Sequence, residues 1–177
     1  MDFKTVSIIK YPVNEVWIHL LNGLPRIAKK IEDLESITET ERHVNGDGSI
    51  KIINIWKAKP KLPSFVVKRI KPDMLAWTDT AEWIEKQNNV QWKIQSHHFA
   101  EEMQCHGVTS FEPAMGGKGC RVTFSGNLQW KGKVISSGIG LLDATISKSA
   151  EGILSQMIPS NFRKITDALS TYIREQA

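Results

Sequence analysis

Twelve apolar side chains in the last quarter of the chain fall on one helical face. Ile135, Ile139, Leu142, Ile146, Ala150, Ile153 and Met157 recur at steps of three and four, and Phe162, Ile165, Leu169, Tyr172 and Ile173 carry the stripe on. So long an apolar stripe is stable only when it is covered, so the residues before it must form a surface wide enough to do so. Pro159 lies within the stripe. It removes an amide donor and predicts either a kink or a division into two helices, with Ser160 as cap of the second.

The preceding residues read as strands. From Asp33 onward the apolar period changes to two, over 34–44, 49–58, 64–71, 74–85, 90–98, 103–112 and 120–131. The connections are short turn signals, among them Asn45-Gly46-Asp47-Gly48, Pro72-Asp73 and Gln87-Asn88-Asn89. Short connections imply an antiparallel meander. Ahead of it, Val6, Ile8 and Ile9 predict a strand that Tyr11-Pro12 ends. Val13, Val16, Trp17, Leu20 and Leu21 then predict a short amphipathic helix beginning at Pro12 and stopped by Asn22-Gly23, and a second short helix follows over 24–30 with Pro25 early in it.

Facing residues of a hairpin share one side of the sheet, so the turns assign the faces. A turn centred near Met115 and Gly116 sets Met103 against Leu128, Gly107 against Phe124 and Phe111 against Cys120. A turn centred at Gln87 and Asn88 sets Trp83 against Trp92 and Ala81 against Ile94. One concave face then carries Leu75, Trp77, Ala81, Trp83, Val90, Trp92, Ile94, Met103, Phe111, Phe124, Leu128 and Trp130, and the other carries Arg121, Thr123, Asn127 and Gln129. The first hairpin keeps two registers open, because Ile53 and Ile55 compete with Ile50, Ile52 and Trp56 for the inner side.

The chain has 177 residues, which fits one domain, 1–177, able to bury a sizeable core. No signal-type leader and no apolar run of spanning length is present, so the expectation is a cytoplasmic protein. The net charge is +4, but 19 acidic residues are interspersed among 23 basic ones, and no basic recognition helix or aromatic RNA-binding signature occurs. No nucleic-acid partner is expected.

The order of short helices, meander and long terminal helix resembles the START, Bet v 1 and polyketide cyclase superfamily (SRPBCC), the helix-grip proteins. The opening Tyr11-Pro12-Val13-Asn14-Glu15-Val16-Trp17 looks like the start of the first helix in bacterial members, and Gly132-Lys133-Val134 with Gly138 and Leu141-Leu142 is similar to the start of the terminal helix in the branch named for carbon monoxide dehydrogenase. The resemblance implies an α+β helix-grip fold: a curved antiparallel sheet of six to seven strands wrapped around a long C-terminal helix, with two short helices after strand one. It also implies a cavity for a hydrophobic small molecule or lipid, whose binding or transfer is the expected function. Polyketide cyclase or dehydratase chemistry and a membrane-associated assembly role are the alternatives.

The ligand-binding residues expected from these faces are Trp56, Trp77, Asp79, Trp83, Trp92, Met103, Phe111, Phe124, Leu128, Gly138, Leu142 and Ile146. The tryptophans either fill the core or line a pocket. Asp79 stands among apolar neighbours on the inner side, where a carboxylate is costly unless paired; it accepts a ligand hydroxyl, acts as a general base, or forms a salt bridge with Lys68. His98, placed near Trp77 at the rim, is the other candidate for proton transfer, and His19 is placed on the first helix. His97 and His98 point to opposite sides of a strand, and His106 follows Cys105 directly, so no metal site and no cofactor is expected. Cys105 and Cys120 are out of step on adjacent strands and are expected as buried, inert thiols. Lys57, Lys59, Lys61, Lys68, Arg69 and Lys71 surround Leu62 and Phe65, which suits either peripheral membrane contact or a solvated loop.

Overall fold

In the computed structural model, residues 1–59, 75–101, 103–131 and 142–176 are described, with 142–157 as backbone only. The elements run β1 (Asp2–Ile9), α1 (Val13–Ala28), β2 (Leu34–Val44), β3 (Ile50–Ala58), β4 (Ala76–Ile84), β5 (Asn89–Ser96), β6 (Met103–Ala114), β7 (Gly119–Trp130) and α2 (Leu142–Gln176). The seven strands form one antiparallel sheet in the order β1-β7-β6-β5-β4-β3-β2. The meander is therefore strictly sequential from β2 to β7, and β1 closes against its last strand. The expected strand over 64–71 and the expected helical start over 132–141 lie outside the described residues.

Two hairpins pair one turn position away from the sequence expectation. Trp83 faces Val90 and Ala81 faces Trp92, while Met103 faces Trp130 and Phe111 faces Val122. The centres are set by the residues that take left-handed backbone. Asn88 (φ 48°) ends one 3-10 turn, and Met115, Gly116 and Gly117 (φ 53°, 64° and 86°) form the other. Each shift moves the partner by two residues, and two is the period of a strand, so every side chain keeps its face. Trp77, Ala81, Trp83, Val90, Trp92, Ile94, Met103, Phe111, Phe124 and Leu128 are all buried. In the first hairpin, Ile52 is buried while Ile53 and Ile55 are only partly so; the inner row is Ile50, Ile52, Asn54, Trp56 and Ala58.

Helix α1 runs unbroken through Asn22-Gly23, where sequence reasoning placed a stop between two short helices. Gly23 is a packing residue: a Cβ there would meet the Tyr172 ring at 3.1 Å, so its absence lets α1 and α2 approach. Pro25 cannot donate to the carbonyl of Leu21, four residues earlier. Arg42 supplies the missing donor, its Nη2 reaching that oxygen at 2.8 Å, and Glu39 holds the guanidinium through Nε at 2.8 Å. The same pairing keeps the Glu39 carboxyl below its usual range and raises Arg42.

Helix α2 is likewise one element across Pro159. Ile165, Leu169, Tyr172 and Ile173 are buried, which follows the stripe read from the sequence; Ile158, which that stripe did not include, is buried as well. Two polar residues share that buried face, Asn161 and Thr166, the latter donating to Ser7 Oγ on β1 at 3.0 Å. Ion pairs Lys30–Glu175 and Lys164–Asp33 fasten the same end of α2 to the segment around α1. Among the described residues no helix is long and apolar enough to cross a membrane.

Candidate functional site

Between the sheet and α2 lies a cavity of about 120 Å³. The sheet contributes Trp56, Trp77, Asp79, Ala81, Trp83, Val90, Trp92, Ile94, Thr109, Phe111 and Phe124; α1 contributes Leu20 and Leu24, and α2 contributes Ile158, Asn161, Phe162 and Ile165. The wall is aromatic because successive inner positions stack. Trp56 lies on Trp77 (centroids 5.8 Å apart), and Trp17 meets Trp83 and Phe111 edge-on at 5.1 and 5.3 Å. Phe162 stacks on Phe124 at 4.5 Å, and Phe124 stacks on Trp92 at 4.6 Å.

Trp92 owes its place to two glycines. Gly107 and Gly126 face each other across β6 and β7, and a Cβ on either would come within 2.4 or 2.5 Å of the indole. The indole therefore lies over a bare patch of backbone, and its N–H donates to Thr109 Oγ1 at 3.2 Å.

Polar atoms are few in this wall, and two of those on its lining residues are unpaired among the described residues. Asp79 is only partly exposed, and the surface it exposes is towards the cavity it lines. Burial raises its carboxyl from 3.8 to about 7; the side chains of Trp56 and Asn54 stand near enough to favour its charged form and lower it, without offsetting burial, but the Trp56 N–H makes no hydrogen bond of proper geometry to it. Asn54 stands directly opposite Asp79 on β3. Asn54 Oδ1, Trp56 Nε1 and Asn161 Nδ2 are buried and have no hydrogen-bond partner among the described residues. A buried polar group left unpaired costs on the order of 1–3 kcal/mol, so such atoms gathered at one cavity need an explanation.

Of the residues expected at the site, Trp56, Trp77, Asp79, Trp83, Trp92, Phe111 and Phe124 line the cavity together. Met103 and Leu128 are buried in the same face of the sheet but are not lining residues. Gly138 and the side chains of Leu142 and Ile146 lie outside the described residues, as does Lys68. His98 is exposed beyond the end of β5, edge-on to Phe99, and is not brought to the cavity; Phe99 and His98 are turned there by their backbone N–H bonds to Ser96 Oγ. His97 bonds Thr78 Oγ1 on the outer side, and His19 packs edge-on to Tyr172. Among the described residues no group of three metal-binding side chains converges. Cys105 and Cys120 are free and buried, and burial pushes their thiols to about 12 and about 11. Most of the basic stretch from Lys57 to Lys71 is outside the described residues.

Sequence reasoning placed Ala81, Val90 and Ile94 on the inner face without naming them as ligand-binding, and missed Leu20, Leu24, Thr109, Ile158, Asn161, Phe162 and Ile165 as lining residues. Phe162 and Ile165 were legible as members of the helical stripe. Thr109 shares the inner parity of Gly107 and Phe111, a signal that was available.

No protein-family model and no curated protein sequence matches the chain. Solved structures do. The aromatase/cyclase Zhui from Streptomyces sp. R1128 superposes with a TM-score of 0.69 at 11% identity, over 99% of this chain and 94% of that one. TTHA0849 from Thermus thermophilus gives 0.67 at 14% identity, over 100% and 99%. Norcoclaurine synthase from Thalictrum flavum, solved with dopamine and hydroxybenzaldehyde, gives 0.56 at 10% identity, over 100% and 88%. At such identities the likeness is one of fold alone: this chain has the helix-grip fold that these structures share.

Proposed function

We propose that the chain binds a small hydrophobic molecule in the cavity between sheet and α2. The observation that carries the reading is an apolar, aromatic-walled cavity beside which Trp56 Nε1, Asn54 Oδ1 and Asn161 Nδ2 lie buried without partners among the described residues. An apolar guest with a few polar atoms gains from both parts of such a wall. The volume favours a small molecule over a lipid, since apolar cavities of about 150 Å³ accommodate benzene. The fold adds support, because neighbours that share it include an aromatase/cyclase and an enzyme solved with two small aromatic molecules. Native mass spectrometry of the purified protein, followed by organic extraction, tests the reading. A stoichiometric apolar companion is the expected result. A clean mass that no member of a small-molecule, sterol and lipid panel shifts overturns it.

A second reading is an enzyme of the cyclase or dehydratase type. Asp79 favours it, because a carboxyl titrating at about 7 is suited to both give and take a proton at neutral pH. Turnover that disappears in Asp79→Asn while binding persists would select this reading over a carrier.

A further inference from the structure

Resting on the cavity reading above, we infer that the guest is a neutral, single-ring aromatic alcohol, held with its hydroxyl between Asp79 and Trp56. Size is the first argument: about 120 Å³ takes one ring, and Trp83, Trp92, Phe111 and Phe124 offer it aromatic walls. Charge is the second. No lysine, arginine or histidine is among the described lining residues, and the one ionisable group there is an acid. Among the described residues no cation compensates a carboxylate or phosphate guest buried next to Asp79.

The balance of donors and acceptors narrows the choice further. Trp56 Nε1 and Asn161 Nδ2 are donors with no partner among the described residues, and both residues line the cavity with Asp79. A hydroxyl donates its proton to Asp79 and accepts from the Trp56 N–H at the same time. An ammonium group has donors only; it satisfies Asp79 and leaves Trp56 and Asn161 as they were. A plain hydrocarbon ring satisfies none of them. Asn161, reaching in from α2, is a donor for a second oxygen on the same ring.

Four probes of nearly equal size test the inference by calorimetry at pH 8: phenol, toluene, benzoate and benzylamine. Phenol is expected to bind tightest, with the other three at least about tenfold weaker, the worth of one hydrogen bond to a charged group. Trp56→Phe, which keeps an aromatic ring and deletes the donor, and Asp79→Leu are each expected to remove most of the advantage of phenol over toluene, read as the ratio of the two affinities in the same variant. Toluene binding as tightly as phenol, or benzoate or benzylamine binding more tightly, overturns the inference and leaves the cavity reading standing. Failure of all four to bind overturns the inference, and overturns the cavity reading as well when the wider panel also leaves the mass unshifted.

Discussion

Replacing Asp79 by asparagine keeps the shape of the side chain and removes its proton equilibrium. In the folded protein this carboxyl titrates at about 7, against 3.8 for the free group, because burial penalises the charged form. Below pH 3.8 the group is protonated in both states and costs nothing. Between 3.8 and 7 the unfolded chain releases the proton while the folded one retains it, so the unfolded state binds fewer protons and stability falls as pH rises. Above 7 the penalty is complete. At about 1.4 kcal/mol per tenfold in proton affinity, it amounts to about 4 kcal/mol. Asp79→Asn is therefore expected to match the wild type at pH 4 and to exceed it by up to about 4 kcal/mol at pH 8, roughly 10 °C in melting temperature for a chain of this length. Urea unfolding followed by tryptophan emission at five pH values between 4 and 8 measures the difference. Cys105, whose thiol the Asp79 charge helps to raise, stays protonated over this range, so the other groups cancel. A difference that does not change with pH, or a variant less stable than wild type at pH 8, would refute the assignment of Asp79 as a buried acid whose neighbours do not offset its burial.

Three further outcomes are expected. Gly107→Ala and Gly126→Ala each drive a methyl group into the Trp92 indole and neighbouring backbone, so each should cost at least about 3 kcal/mol, the upper end of overpacking penalties, and shift tryptophan emission; a loss under about 1 kcal/mol in denaturant titration would contradict the packing described. Arg42→Met should cost about 1–3 kcal/mol by stripping Leu21 O of its donor, and Pro25→Ala in that background should recover part of the loss by restoring an amide, an interaction that a double-mutant cycle reads directly. Cys105 and Cys120 should resist a thiol reagent at pH 8 until denaturant is added, since both are buried and both thiols are raised well above that pH; rapid native labelling of either would be inconsistent with their placement.

The face of almost every strand residue was readable because alternation survives errors of two. Misplacing the hairpin centres left Trp83, Trp92, Phe111 and Phe124 on the correct side, and an odd error would have reversed one strand of each hairpin against its partner. The stripe of α2 was readable for the same kind of reason, through Ile165, Leu169 and Tyr172. Asn54, Asn161 and Thr166 were not, because a polar residue on a buried face breaks the pattern used to find that face. Asn54 occupies an inner position between Ile52 and Trp56, which is why the sequence left two registers open for that hairpin. The continuity of α1 was hidden for a different reason. Gly23 and Pro25 carry local stop signals, and what overrides them comes from Tyr172 and Arg42, far away in sequence.

The pairing of β1 with β7 makes assembly of this sheet uneven in time. Every other neighbouring pair of strands is consecutive in the chain; β5 and β6 first meet at Ile94 and Cys105, only 11 residues apart (105 − 94). The nearest contact of β1 with β7 joins Ile9 to Cys120 across 111 residues (120 − 9). Closing the longer loop costs about 2 kcal/mol more in chain entropy, so the meander is expected to zip first and β1 to arrive last. Until it does, β7 presents an open edge to any other strand in reach. Softening β1, for example by Ile9→Ala, should then hasten unfolding more than it slows refolding, and the dangerous interval for a chain emerging from the ribosome is the one in which its oldest strand has not yet found its newest.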